Sequence, residues 1–392
     1  MRASSNPSRK PGGVKTFWAR VTEGFELHQL WGQFMSEATA SYRLYSADVN
    51  WEGIEARNSF GKFIRSVWAL FQALLMKLTP ARRVLLLLAI VLLMIHQTDI
   101  HLGRFGRIQF DFAPAGGLIL FVLLALELAD RVTMKRDLEI AREIQEWLVP
   151  DKAPSIPGMD IAFATRPQNT VAGDYFDAFI RPATSAGSAP QPLLIAVADV
   201  AGKSIPAALL MATFQASLHT LSSTPSTLDE IVVSLNSYCR EHSLDGRRFT
   251  TAFLAEVHVE TREMVYVNAG HNDPILRRAS GRIERLSSGG PPFGIPAIHG
   301  RDLSYRHDSV RLDPGDLLFI FTDGVVEAVN DTDEDYGEGR LLACLENARF
   351  ENADATLQRI MNDVNTFAGY ARQYDDITAF VLRVDGPTTS RD

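Results

Sequence analysis

The chain has 392 residues, a formal net charge of −8 and 46% hydrophobic residues, enough for two or three units with a real core. Its two cysteines, Cys239 and Cys344, make no disulfide framework and fit a reducing compartment. Residues 1–150 hold 18 Lys and Arg against 14 Asp and Glu; the remainder holds 21 against 33, which argues against nucleic acid as a partner.

Met1 to Lys15 is polar and basic, carries Pro and Gly, and shows no signal-peptide pattern. Residues 1–20 are expected to be disordered, and residues 21–80 to form a helical region without an assignable motif. Within it SVWALFQALLMKL, Ser66 to Leu78, reads as an amphipathic helix, packed on a core or lying on a membrane surface. Next, RRVLLLLAIVLLMIHQ has an apolar stretch from Val84 to Ile95. That is short against the ~20 residues of a span, although Arg82 and Arg83 can snorkel. A polar loop, Thr98 to Asp111, leads to a second apolar run, Phe112 to Leu128, with one acid, Glu127. Residues 81–130 are therefore expected to form a two-helix transmembrane hairpin, with a buried helix pair in a soluble domain as the alternative. Lys77, Arg82 and Arg83 on one flank and Arg131, Lys135 and Arg136 on the other place both ends in the cytoplasm, against Arg104 and Arg107 in the loop.

Residues 131–150 read as a charged helical linker. Met134, Leu138, Ala141, Gln145 and Leu148 alternate steps of four and three, a short coiled-coil seam. The stripe suits a homodimer or packing on the following domain, and Val149-Pro150 ends it.

From residue 151 to 385 strands dominate the middle and helices come in consecutive pairs, so this is no regular βαβ repeat. Strands are expected near Asp160–Ala164, Pro274–Arg278, Arg282–Leu286, Leu303–Leu312, Leu317–Phe321 and Ile377–Val384. Helices are expected near Pro206–Ser222, Thr227–Glu241, Glu338–Asn347 and Ala353–Phe367. TTAFLAEVHVE and EMVYVNAG read as a hairpin around Thr261-Arg262. Ala183–Gln191 is a Ser/Ala/Pro-rich loop, and residues 386–392 are a tail.

The chemistry centres on LLIAVADVAGKSIPAALLMATF, residues 193–214. A buried-strand run ends at Asp199, turns through Gly202, and enters a helix with Pro206 in its first turn. An Asp capping that helix is an equal reading of this stretch alone. The pattern returns, however. LLFIFTDGV ends a strand at Asp323 beside Gly324, QYDDITAFVLRV sets Asp375 and Asp376 before a strand, and NTVAGDYFDAFI sets Asp174 behind Gly173. Strand-end carboxylates gathered at one sheet edge repel unless cations join them. Carboxylates without a Cys/His cluster suit hard ions held partly through water, Mg²⁺ or Mn²⁺.

VAGDYFD, ADVAGKSIPAALLMA, NAGHNDP, PPFGI, PGDLLFIFTDGVVEA and QYDDIT, in this order, resemble the metal-dependent protein phosphatases of the PPM class (protein phosphatase 2C-like), in the bacterial SpoIIE/RsbU-like branch. The resemblance runs from about Ala141 to Val384. Ala172, Ala201 and Ser204 depart from the branch at loop positions, and no carboxylate is lost. The resemblance implies an α+β fold, an αββα four-layer sandwich, carried here behind an N-terminal helical membrane anchor. It implies two ions, Mn²⁺ or Mg²⁺, with Asp199 bridging them and the Val200 carbonyl as a further ligand. Asp323 and Asp375 would hold the second metal, and Asp174 would sit beside them, acting with Asp199 in catalysis; Asp376 is the weaker choice of its pair.

The expected reaction is hydrolysis of phosphoserine or phosphothreonine by a metal-activated water. The expected substrate is an anti-sigma-factor antagonist-like regulatory protein, and the expected location is a bacterial inner membrane with the catalytic domain in the cytoplasm. His271 reads equally as a general acid and as a turn-stabilising residue. Gly289, Gly290, Pro291, Pro292 and Gly294 read as a rigid turn, because a phosphate cradle needs a strand–loop–helix setting. Lys203 and Arg166 read as solvated cations that could meet phosphate. Three rivals remain: a diguanylate-cyclase-like enzyme, a phosphatase with an aspartyl nucleophile, and a catalytically weak scaffold.

Overall fold

The structure, a computed structural model, describes residues 59–95, 97–101, 107–183, 191–243, 247–287, 289–296, 304–347 and 352–385. The expectations for residues 1–20, for 21–58, for the centre of the 183–191 loop, for the start of the strand at Leu303 and for the tail lie outside the described residues. The chain divides into two units, Met1–Val132 and Thr133–Asp392.

In the first unit α1 (Ser59–Lys77) and α2 (Pro80–Ile95) meet at Leu78-Thr79. Pro80 opens α2, where a missing N–H is tolerated. The Arg83 guanidinium donates to the Leu78 carbonyl at 2.9 Å and the Met76 carbonyl at 2.5 Å, satisfying the end of α1. Helix α3 runs unbroken from Ala113 to Glu146. Where α2 and α3 cross, Gly116 lets the backbones approach. A Cβ there would stand 2.9 Å from Leu93 Cγ and 3.0 Å from the carbonyl of the fully buried Ala89. Arg82 ties the pair through Glu127 at 3.3 Å and Asp130 at 2.7 Å.

Two expectations change in this unit. The polar loop Thr98–Asp111 contains an antiparallel ribbon, β1 (Gln97–His101) with β2 (Arg107–Asp111), in which Ile100 pairs with Ile108 and Thr98 with Phe110. The two spans are also unequal. Among the described residues α3 alone is long and apolar enough to cross a membrane. Helix α2 has 16 residues, a rise of about 24 Å against a hydrocarbon core of about 30 Å.

The second unit contains two five-stranded sheets with only antiparallel pairings. Its strands are β3 (Met159–Arg166), β4 (Asp174–Ile180), β5 (Leu193–Val200), β6 (Thr250–His258), β7 (Glu263–Ala269), β8 (Ile275–Arg277), β9 (Ile283–Arg285), β10 (Asp308–Arg311), β11 (Leu317–Phe321) and β12 (Ile377–Val384). One sheet has the order β10-β7-β6-β5-β4 and the other β3-β12-β11-β8-β9. Its helices are α4 (Ile205–Ser222), α5 (Leu228–Glu241), the short α6 (Asp323–Val326), α7 (Gly337–Asn347) and α8 (Ala353–Ala368).

Strand alternation separates the layers. Ile195, Val197, Phe253 and Ala255 meet Ile161, Leu318, Ile320, Phe380 and Leu382 between the sheets. The alternate residues Leu194, Ala196 and Ala198 pack under Met211, Phe214, Ile231 and Leu235 of α4 and α5. Phe319, Phe321, Ala379 and Val381 pack under Leu341, Leu345, Leu357 and Ile360 of α7 and α8. The result is the expected four-layer αββα sandwich. Strands β5 and β11, neither of them at a sheet edge, are covered on two faces, which is why their sequences are continuous apolar runs. Capping fixes two of the outer helices. Thr227 and Glu230 form a reciprocal capping box on α5, and the Asn352 side chain accepts the Ala355 N–H on α8.

Candidate active site

Strand register builds the site. Asp174 on β4 pairs with Asp199 on β5, which pairs with Thr251 on β6, so the three share one face of the first sheet. The second sheet contributes from the ends of β11 and β12. Thr322 and Asp323 follow β11, and Asp375 and Asp376 precede β12. Thr322 joins the sheets: its hydroxyl donates to Asp174 Oδ2 at 2.8 Å, and its N–H donates to the Thr378 carbonyl at 3.0 Å.

Two glycines open the space. A Cβ on Gly324 would stand 2.0 Å from the Asp376 carbonyl oxygen. One on Gly173 would stand 3.1 Å from Ala207 Cβ and 3.4 Å from the Val200 carbonyl. Asp376 is a holder of the loop rather than an open carboxylate. Its Oδ1 accepts the Gln168 N–H and its Oδ2 the Gly173 N–H, both at 2.6 Å. Asp375 is paired instead, with Lys203 Nζ 3.1 Å from its Oδ2.

Burial and mutual repulsion raise the acids. Burial first, then Asp199 and Asp376, push Asp174 well above the usual carboxylate range. Asp199 is pushed up to about 7 by burial and then by Asp323, Asp375 and Asp376, offset by its hydrogen bond with Asp174. Asp323 is raised to about 6 by burial, Glu327 and Asp375, and Lys203 pulls it back. Such a set of like charges is what a divalent cation relieves, so the donors suit a hard ion. Among the described residues no three His, Cys, Asp or Glu side chains form a ready-made cage. The Val200 carbonyl and water would complete a shell.

All five residues singled out from the sequence, Asp174, Asp199, Val200, Asp323 and Asp375, come to this one edge. The sequence reading missed Thr322 and Thr378. The only trace they left was a threonine next to Asp323 in FTDG and one two residues after Asp376 in DDIT. Gln145 also has a partner unforeseen in the sequence. Its side-chain amide donates to the Ala172 carbonyl at 2.7 Å and accepts the Ala172 N–H at 2.8 Å, next to Gly173 and Asp174. His271 is buried and held by Thr251 at 3.0 Å, and burial pushes it down to about 4. Its backbone N–H donates to the Asn268 side chain, the turn-stabilising arrangement. Arg166 donates to the Asn365 side chain.

Two packed antiparallel sheets, helices on both outer faces and carboxylates gathered where strands of both sheets end define a PPM-class, protein phosphatase 2C-like domain. The chain belongs to the Stage II sporulation protein E (SpoIIE) family, whose model matches residues 189–385. It is 27% identical to Protein IcfG of Synechocystis sp. over 286 residues, 66% of this chain and 43% of that protein. The chain thus spans under half the length of IcfG. It is also 27% identical to phosphoserine phosphatase RsbU of Bacillus subtilis over 252 residues, covering 64% of this chain and 70% of RsbU.

Among solved structures, the SiaA-PP2C domain of Pseudomonas aeruginosa superposes with a TM-score of 0.56 at 20% identity, covering 66% of this chain and 99% of that one. The RsbU and RsbW domains of Rv1364c from Mycobacterium tuberculosis give 0.50 at 22%, covering 60% and 64%. Both show the fold. Membership of the SpoIIE family leaves no place for the cyclase-like and aspartyl-nucleophile readings.

Proposed function

We propose that the chain is a membrane-anchored, metal-dependent serine/threonine protein phosphatase. The observation that carries this reading is the pairing of Asp174 with Asp199 on one sheet, joined through Thr322 to the sheet end that bears Asp323 and Asp375. Asp199 would be shared by two ions, Mn²⁺ or Mg²⁺, with the Val200 carbonyl on one and Asp323 and Asp375 on the other. Bound there, such ions supply Lewis-acid polarisation of a phosphoryl group and a water that ionises near pH 7.

The chain's own residues do the positioning. Thr322 fixes the Asp174 carboxylate, Asp376 holds the 172–173 loop clear of the site, and Asp174 and Asp199 can keep one proton between them. No side-chain nucleophile is required. The similarity to a phosphoserine phosphatase supports a phosphoserine or phosphothreonine substrate. The resemblance extends this to an anti-sigma-factor antagonist-like protein. Helix α3 supports the membrane anchor, with the catalytic domain in the bacterial cytoplasm, and the linker segment supports a homodimer.

Hydrolysis of a generic aryl phosphate by the full-length chain should require Mn²⁺ or Mg²⁺. Asp199→Asn keeps the volume and removes a negative ligand, so turnover should fall by roughly 100-fold or more while folding survives. Near-wild-type turnover of Asp199→Asn with unchanged metal content would overturn the two-metal reading, and metal-independent turnover would overturn the class.

A further inference from the structure

Lys203 sits on the crest of the turn between β5 and α4, and the turn is pinned on both sides. The Ala201 N–H donates to the Phe249 carbonyl at 2.8 Å, and Arg248 donates to the Ala201 carbonyl at 3.1 Å. Beyond the crest, Asn169 Nδ2 reaches Ser204 Oγ at 3.4 Å. Gly202 has φ 123° and Ser204 φ 63°, so the turn takes a route that few residues adopt. With the backbone held, the side chain is a tether of fixed origin. Its ammonium lies 3.1 Å from Asp375 Oδ2 and donates to the Tyr374 carbonyl. Its charge also reaches Asp323. These are the two carboxylates that the proposed function gives to the second cation.

We propose that the Lys203 ammonium is a tethered occupant of the Asp323–Asp375 cation position, so that a divalent ion binds there only by displacing it. The inference rests on the two-metal reading of the site. An ammonium 3.1 Å from an Asp375 oxygen and a divalent ion on the same carboxylate would repel each other, so keeping both raises the cost of binding the ion. The lysine stem is flexible and its ion pair is half-exposed, so displacement needs only side-chain rotation into solvent. Metal affinity at this position is then set by competition with an internal cation. Among the described residues the ammonium has no hydrogen bond or ion pair with Asp199 or the Val200 carbonyl, so the Asp199–Val200 position is free of this competition.

Titration of the full-length chain with Mn²⁺, followed by calorimetry, tests this without relying on turnover. In Lys203→Met the weaker of two sites should tighten by roughly five-fold, the upper value of a partly exposed ion pair. Lys203→Arg should keep the wild-type affinity. In the wild-type protein, amine acylation of Lys203 read by mass spectrometry should rise when Mn²⁺ is added. Unchanged or weaker binding in Lys203→Met, equal tightening in Lys203→Arg, or acylation indifferent to Mn²⁺ overturns the competition and leaves the phosphatase reading standing. A wild-type chain that binds no Mn²⁺ overturns both.

Discussion

Asp199 and Asp323 are held at about 7 and about 6 by burial and by neighbouring carboxylates, against 3.8 in an open chain. The folded, metal-free protein therefore binds more protons than the unfolded chain between those limits. That contribution to stability is fully present below about pH 4 and is lost as pH rises through 6 to 7. Melts in chelator should show Tm falling from pH 5 to 7.5, with a flatter slope in Asp199→Asn and a recovery on adding Mn²⁺. A chelated Tm that climbs steadily across this interval would contradict the carboxylate account. Gly324 is constrained by space: a Cβ would meet the Asp376 carbonyl at 2.0 Å. Gly324→Ala should destabilise the fold by about 1–3 kcal/mol, as overpacking does. Because the strained backbone lies between Asp323 and Asp376, metal affinity should drop with it, readable by denaturant titration beside a Mn²⁺ titration.

At the scale of the element, α3 carries two roles in one helix. Its first half is the candidate span and its last turns reach the 172–174 loop through Gln145. Of the seam positions, Leu138, Ala141, Gln145 and Leu148 are half-buried and Met134 is exposed, while Ile140 and Ile144, off the seam, are also exposed. Gln145→Leu would leave the buried Ala172 N–H and carbonyl without these partners, at a cost of roughly 1–3 kcal/mol for each unpaired group. If the helix controls the metal site, Gln145→Leu should shift basal turnover and Mn²⁺ affinity together. Inserting Gly-Ser near Val149 should then uncouple turnover from the membrane region, since a flexible linker transmits no rotation. Wild-type behaviour of both variants in turnover and metal titration would make α3 a tether only.

For the whole molecule, the charge asymmetry and the exposed apolar face of α3 set the expected location. Leu118, Phe121, Leu124 and Leu128 are each more than 60% exposed, an apolar face that marks an interaction surface, of membrane or of protein. The full-length protein should stay with the membrane fraction after alkaline carbonate, and a reporter fused at residue 150 should read as cytoplasmic. Release by carbonate, or a reporter reading outside, would remove the anchor while leaving the SpoIIE-family domain intact.

The layers of that domain were legible in the sequence because β5 and β11 are buried on both faces, and their apolar runs end at a charge that cannot be buried cheaply. Asp174 and Asp323 could be picked out beside a glycine, Asp375 beside a second acid, and Asp199 at the end of its strand, three residues before Gly202. The β1–β2 ribbon was hidden because its five-residue strands, QTDIH and RIQFD, are short and mostly polar, too brief a pattern to be told from a loop. What no single stretch encodes is the register that brings residues 174, 199, 323 and 375 to one edge. The contacts of Thr322 with Asp174, Asp376 with Gly173 and Gln145 with Ala172 join positions 148, 203 and 27 residues apart. Hydrogen bonds act over a few ångströms of space, so only the packing of two sheets and a preceding helix could decide which of these polar side chains hold the site and which remain open to a cation.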